Sequence, residues 1–123
     1  MKAIEKYSLL LLTLMSATVS IAQEQAVMTK DELVKAVPGS TMERTNAHGN
    51  IRRWTNHPDG TAVISREPEP GSKHYTNTAT GHWSISDDGR YCLTEDWSAS
   101  RGGPVDWCRH VVSAPDGSLQ LAQ

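Results

Sequence analysis

The stretch "GHWSISDDGRYCLTEDWSASRGGPVDWCRHVV", residues 81–112, contains both cysteines of the 123-residue chain and three of its four tryptophans. Its centre, residues 98–106, has adjacent glycines and a proline, which are typical of a β-hairpin connection. In a hairpin centred on Ser100, Cys92 lies directly opposite Cys108. Directly opposed residues of a non-hydrogen-bonded pair have Cα atoms about 4.5 Å apart, near the short end of the range that a disulfide accepts. The sequence therefore predicts a disulfide between neighbouring strands.

Three motifs rich in Asp and Gly divide the surrounding sequence into hairpins: "HPDGT" at 57–61, "SDDGR" at 86–90 and "APDGS" at 114–118. Two-residue and three-residue loops give registers that differ by one residue, which sends side chains to opposite faces. The three-residue loop places apolar residues opposite one another, in the pairs Ile85–Tyr91, Trp83–Leu93, Trp54–Ile64 and Val111–Leu121. Each motif is therefore predicted to be a type I turn followed by a left-handed glycine.

One helix is predicted near the start, in "MTKDELVKAVPG" at 28–39. Thr29 and Glu32 form a capping box, and Pro38 ends the helix. Its buried face is expected to contain Leu33, Val34 and Val37. The fold class is therefore mainly β: a small antiparallel meander sheet or partly open barrel, with one N-terminal α-helix.

The first 22 residues have the pattern of a cleavable signal peptide, with Lys2 and Lys6 before an apolar run and cleavage expected after Ala22. The run is shorter than the roughly 20 apolar residues that span a membrane, so no membrane span is expected. The protein is predicted to be periplasmic, where a disulfide between the two cysteines can persist.

The remaining residues, 23–123, are predicted to form a single β-rich domain, because about 100 residues support one modest core. Removal of the signal peptide changes the formal charge from −2 to −3. A negative charge argues against binding to nucleic acid or to an anionic membrane.

A family resemblance rests on several motifs in combination: "PGSTMERTN", a Trp-containing strand ending in "DGT", "GHWSISDDGRYC", and the second cysteine in "WCRHV". With the export signal and the short helix, this pattern resembles the exported proteobacterial proteins grouped as domain of unknown function 995. The resemblance covers residues 29–112. It implies an exported, small β-rich domain with a disulfide, and it carries no established activity or catalytic residues.

Strand alternation places two charged residues, Glu95 and Arg109, on the same face as the tryptophans. A charge among apolar side chains is costly unless it is paired or reaches water. Either both residues lie at a margin of the sheet, where long side chains reach solvent, or they are polar anchors in an aromatic cleft that binds a small ligand. The candidate binding residues are Trp83, Glu95, Trp97, Trp107 and Arg109.

The leading functional hypothesis is an exported, non-enzymatic binding or interaction module for a protein partner or a small apolar ligand. The usual catalytic signatures are missing, and no cofactor is predicted. The long polar loop 65–81 is expected to be mobile. The loop 98–106, with Arg101 exposed at its tip, is a candidate contact for a periplasmic or envelope protein partner. The alternative is a periplasmic metal-handling protein that uses some of its five histidines; none of them falls in a recognised ligand spacing, so no metal ligand is assigned.

Overall fold

A computed structural model describes residues 26–123 of the chain, so the predicted signal peptide lies outside the described residues. Helix α1 (Lys30–Ala36) begins after Thr29, whose side chain accepts from the backbone N–H of Glu32 while Glu32 accepts from that of Thr29. The predicted capping box is therefore confirmed. Leu33 and Val37 are fully buried, but Val34 is 52% exposed. The two-turn helix buries only Leu33 and Val37, which are four positions apart, so the prediction that Val34 packs inward was wrong.

The rest of the described chain is mainly strand, as the sequence predicts. Six strands form one antiparallel meander in sequence order. They are β1 (Thr41–Thr45), β2 (Ile51–Asn56), β3 (Thr61–Glu67), β4 (Asn77–Ile85), β5 (Tyr91–Glu95) and β6 (Val105–Arg109). A second hairpin follows, formed by β7 (Val111–Ser113) and β8 (Leu119–Leu121).

The three predicted turns and their registers are confirmed. Trp54 lies opposite Ile64, and the pairs predicted around the other two turns also form. The glycine of each turn is left-handed, with φ between 80° and 91°. A fourth turn of the same kind, at residues 46–50, joins β1 to β2, with Gly49 at φ 83°. It was not predicted, although its "NAHGN" sequence has the turn-forming Asn and Gly.

The six-stranded sheet curls into a half-barrel. Trp54 of β2 and Trp107 of β6 have ring centroids only 5.5 Å apart, although three strands separate β2 from β6 in the sheet. A flat sheet would separate those strands by roughly 19 Å, at about 4.8 Å per strand. The inner face and helix α1 enclose the core, whose largest buried side chains include Trp54, Tyr91, Leu33, Met42 and Ile64.

The central hairpin has the predicted register, with Cys92 opposite Cys108 and Leu93 opposite Trp107. The two cysteines form a disulfide with a Cα–Cα distance of 4.0 Å. The bridge lies on the outer face, where Cys108 is exposed, while Trp107 faces inward. The cysteines and tryptophans of this hairpin therefore lie on opposite faces of one sheet.

The predicted loop at 65–81 is shorter than expected. Strand β3 continues to Glu67 and β4 begins at Asn77, so the loop spans only residues 68–76. The error arose because these strand ends are polar: Arg66, opposite Asn77, replaces the apolar side chain that would have marked a strand. The second loop, 98–106, contains a short 3₁₀ turn at Ala99–Arg101 and two left-handed glycines.

Gly81, the glycine of the "GHW" motif, is required by close packing. A Cβ atom at this position would lie 2.2 Å from the carbonyl oxygen of Thr94 and 2.9 Å from Cδ1 of Ile64. Its neighbours across the sheet are Ala62 on β3 and Glu95 on β5. Gly81 thus lets the inner face of the half-barrel close around these side chains.

We expect Gly81→Ala to reduce the free energy of unfolding by more than about 3 kcal/mol, because the new methyl group meets a backbone oxygen that cannot rotate away. Gly103→Ala is the matched comparison: that site is open but left-handed, so its cost should be about 1 kcal/mol. Urea denaturation measures both. Equal losses in the two variants would contradict the steric account.

Candidate functional site

The centre of the candidate site is the carboxylate of Glu95, which has no exposed surface. Its Oε1 atom accepts a hydrogen bond from the indole Nε1 of Trp97 at 3.0 Å. Its Oε2 atom accepts from the indole Nε1 of Trp107 at 2.8 Å and from Nη1 of Arg52 at 3.4 Å. Both oxygens of this buried carboxylate are therefore satisfied, as burial of a charge requires.

Two arginines of neighbouring strands surround this carboxylate. Arg52 forms the ion pair with Glu95, and Arg66, which lies directly opposite Arg52, stacks its guanidinium 3.8 Å from the ring centroid of Trp97. Arg66 also donates to the carbonyl oxygen of Arg101 at 3.0 Å. Burial and the positive charge of Arg52 lower the pKa of Arg66, whereas the negative charge of Glu95 acts in the opposite direction.

Next to this cluster is a cavity of about 270 Å³, in the gap between β2 and β6. Its walls combine aromatic and aliphatic surface with guanidinium groups; the lining residues are Arg44, Arg52, Trp54, Trp107, Cys108, Arg109 and Leu121. A wider cleft of about 890 Å³ between β1 and the C-terminal segment shares Arg44, Arg109 and Leu121 with it. The cavity and the cleft are therefore adjacent on the surface of the protein.

The predicted site residues separate into three groups. Glu95, Trp97 and Trp107 form one hydrogen-bonded cluster, and Arg109 joins Trp107 in the wall of the cavity. Trp83 belongs to neither group. Its indole Nε1 donates to the carbonyl oxygen of His57 at 2.8 Å, in the turn that joins β2 to β3. The expectation of a sheet-margin position was wrong for Glu95, which is fully buried, while Arg109 is half-buried.

The sequence interpretation missed Arg44, Arg52 and Arg66. The signal was present, because the predicted pairing of Trp54 with Ile64 places both side chains inward, and Arg52 and Arg66 are two positions away on the same strands. Among the described residues, a cation–π contact is made by Arg66 over Trp97.

Tyr91 and Asn56 form a second buried polar pair, deeper in the core. The hydroxyl of Tyr91 donates to Oδ1 of Asn56, and the tyrosine ring packs 5.7 Å from that of Trp107. Burial raises the pKa of Tyr91 well above its usual range, and the negative charge of Glu95 raises it further. The neutral, hydrogen-bonded Tyr91 therefore packs against Trp107, which forms one wall of the cavity.

The histidines occupy separate turns and strands, and all five are exposed. His82 is 3.9 Å from a carboxylate oxygen of Asp96, in an exposed pair. Within residues 26–123, no group of three or more His, Cys, Asp or Glu side chains is placed to hold a metal ion. The same range contains no helix with the length and hydropathy needed to cross a membrane.

The described residues define a class: a small, disulfide-linked antiparallel half-barrel with an aromatic and cationic cavity between β2 and β6. A family model described as "Protein of unknown function (DUF995)" matches residues 7–116. The chain therefore belongs to the DUF995 family, which confirms the resemblance drawn from its motifs. Neither the curated proteins nor the solved structures contain a match to the chain.

Removal of the Glu95 charge should destabilise the protein. In Glu95→Gln the side chain presents an NH₂ donor to an indole N–H or to Arg52, so we expect a loss of about 2 kcal/mol; Glu95→Ala should lose at least about 3 kcal/mol. Asp106→Asn, an exposed carboxylate on β6, is the control and should change stability by less than about 0.5 kcal/mol. Chemical denaturation at pH 7 tests this, and an E95Q variant as stable as wild type would contradict it.

Stability should fall at alkaline pH because of Tyr91. The unfolded chain releases the phenolic proton near pH 10, whereas the folded protein holds it to higher pH, so ionisation favours unfolding as the pH rises above about 10. We expect wild type to lose more stability between pH 8 and pH 11 than Tyr91→Phe. Urea denaturation at the two pH values measures the difference, and equal losses would argue against a role for Tyr91.

Proposed function

We propose that the protein is an exported, non-enzymatic binding module that holds a small ligand in the cavity between β2 and β6. The observation that carries this proposal is the way in which Glu95 fixes Trp107: the indole that forms one wall of the cavity is hydrogen-bonded to a fully buried carboxylate. A binding site whose walls are already ordered loses less conformational entropy when a ligand binds. This favours recognition of a ligand in an existing cavity.

The dimensions of the cavity support a small molecule as the ligand. Its volume of about 270 Å³ is just below the ~300–1,000 Å³ of typical small-molecule pockets. Trp54, Trp107 and Leu121 supply apolar surface, and the arginines supply a few polar groups that can orient the ligand. This combination of apolar walls and a few polar groups is typical of small-molecule sites.

A protein partner is the other form of binding that the sequence suggested, through the 98–106 loop. That loop is tied to the sheet by the hydrogen bond from Arg66 to the carbonyl of Arg101. It lies outside the cavity lining, and its tip is exposed. The cavity therefore favours the small ligand over the partner. Export to the periplasm is part of the proposal, and the disulfide is compatible with it.

Native mass spectrometry of protein purified gently from its native host tests the proposal. We expect an added mass that disappears on denaturation. Leu121→Trp, which fills part of the cavity, should abolish the added mass, whereas Val63→Trp on the exposed outer face of β3 should retain it. A bare wild-type mass, or equal retention by both variants, would contradict a cavity ligand. An added mass equal to a metal ion would support the histidine hypothesis instead.

A further inference from the structure

We propose that the ligand carries an oxyanion, a carboxylate, phosphate or sulfate group, that binds among Arg44, Arg52 and Arg109, with an apolar body against Trp54 and Trp107. This inference rests on the proposed function and specifies the chemical class of the ligand. It depends on the positions of the arginines and on the carboxylates available to pair with them.

Three arginines lie in a single row across neighbouring strands. Arg44 on β1 is directly opposite Arg52 on β2, and Arg52 is directly opposite Arg66 on β3. Like charges at directly opposed positions destabilise a sheet. All three share the inward parity of Trp54, so the row follows one end of the inner face. Arg44 is exposed and Arg52 and Arg66 are half-buried, so water screens part of this repulsion, and an anion bound among them would relieve more of it.

The protein itself supplies little compensation. Glu95 is the carboxylate that pairs with the row, at 3.4 Å from Arg52, and the indoles of Trp97 and Trp107 also occupy its oxygens. Within residues 26–123, Arg44 and Arg109 form no ion pair. Cationic side chains therefore outnumber carboxylates around the cavity.

The outer face of the same strands provides a contrast. Arg53, the next residue after Arg52, pairs with Glu43 at 3.2 Å and with Glu67 at 2.9 Å. Arg53 thus has one acidic partner directly opposite on β1 and a second diagonally across on β3, whereas the residues opposite Arg52 on the inner face are both arginines. The inner row is left with unused guanidinium donors beside an open cavity.

The geometry of the guanidinium group indicates which anions suit these donors. Arginine presents planar N–H pairs that match the two oxygens of a carboxylate, phosphate or sulfate. The flat indole walls and Leu121 accommodate a ring or a short aliphatic group. The wider cleft shares Arg44 and Arg109 with the cavity; it is also lined by Asp116 and by Glu43, which is paired with Arg53.

The test uses the mature, disulfide-bonded chain and three soluble probes of similar size: benzoate, phenyl phosphate and the neutral benzamide. Binding is measured by tryptophan fluorescence and isothermal titration calorimetry. We expect at least one anion to bind at least tenfold more tightly than benzamide, with affinity that falls as salt is added. A preference for phenyl phosphate would indicate a phosphorylated ligand, and a preference for benzoate would indicate a carboxylate. Either result supports the proposal that the ligand carries an oxyanion.

The matched variants are Arg44→Gln combined with Arg109→Gln, and Arg53→Gln as the control on the outer face. The double variant should bind the anions at least tenfold more weakly, and R53Q should bind as wild type. Without ligand, the double variant should be at least as stable as wild type, because repulsion from Arg52 is reduced. R53Q should be less stable, since it loses two ion pairs.

Two results would contradict the proposal that the ligand carries an oxyanion bound by these arginines. In the first, benzamide binds as tightly as the anions, or native mass spectrometry finds a neutral or cationic ligand; the cavity then remains a binding site and only the ligand class is wrong. In the second, the double variant binds the anions as wild type does, so the arginines are not the site. If no probe binds and the native protein carries no added mass, the proposed function fails as well.

Discussion

The structure depends on one buried charge. Glu95 is fully buried, and a carboxylate removed from water is tolerated only when its oxygens are hydrogen-bonded or paired. Its donors come from three places: Arg52 on β2, Trp97 just after β5, and Trp107 on β6. Since β2 and β5 are not neighbours in the sheet, the Arg52 contact can form only across the interior of a curled sheet. The charge therefore links the curvature of the half-barrel to the position of its tryptophans.

The same link affects the charge balance around the cavity. Glu95 compensates part of the positive charge of the inner arginine row, and its oxygens are already shared with two indoles. Stability alone would favour neutral side chains at Arg44 and Arg109, because directly opposed or clustered like charges oppose folding. Under the proposal that the cavity holds an anion, these charges would serve the ligand at a cost in stability.

Local features of the fold were predictable from the sequence, because turn chemistry and alternation determine them. The "DGT" and "DGR" motifs give three-residue loops, and the register that pairs apolar residues follows from them. The contact between Cys92 and Cys108 follows from the separate hairpin centred on Ser100. The limits of the loop at 65–81 were wrong because Arg66 and Asn77 give strand ends a polar pattern. Alternation indicates that a side chain faces inward, but not which other strands it meets there.

The curvature of the sheet decides those contacts, and it was not predictable from the strand pattern. Glu95 was identified as an inward charge, yet its partner Arg52 lies three strands away in the sheet. Trp83 also faces inward, but the turn at His57 accepts its indole hydrogen bond, away from the cavity. The candidate site was therefore predicted in part: the carboxylate, two tryptophans and one arginine were selected, and the arginine row was not.

The central claim is that the Glu95 carboxylate holds Trp97 and Trp107 in place. Nuclear magnetic resonance of the four indole N–H groups, in wild type and in Glu95→Ala, tests it most directly. The account predicts that the Trp97 and Trp107 signals shift and exchange faster with solvent in the variant, whereas that of Trp83, bonded to His57, stays unchanged. Unchanged Trp97 and Trp107 signals in a folded variant would contradict the account.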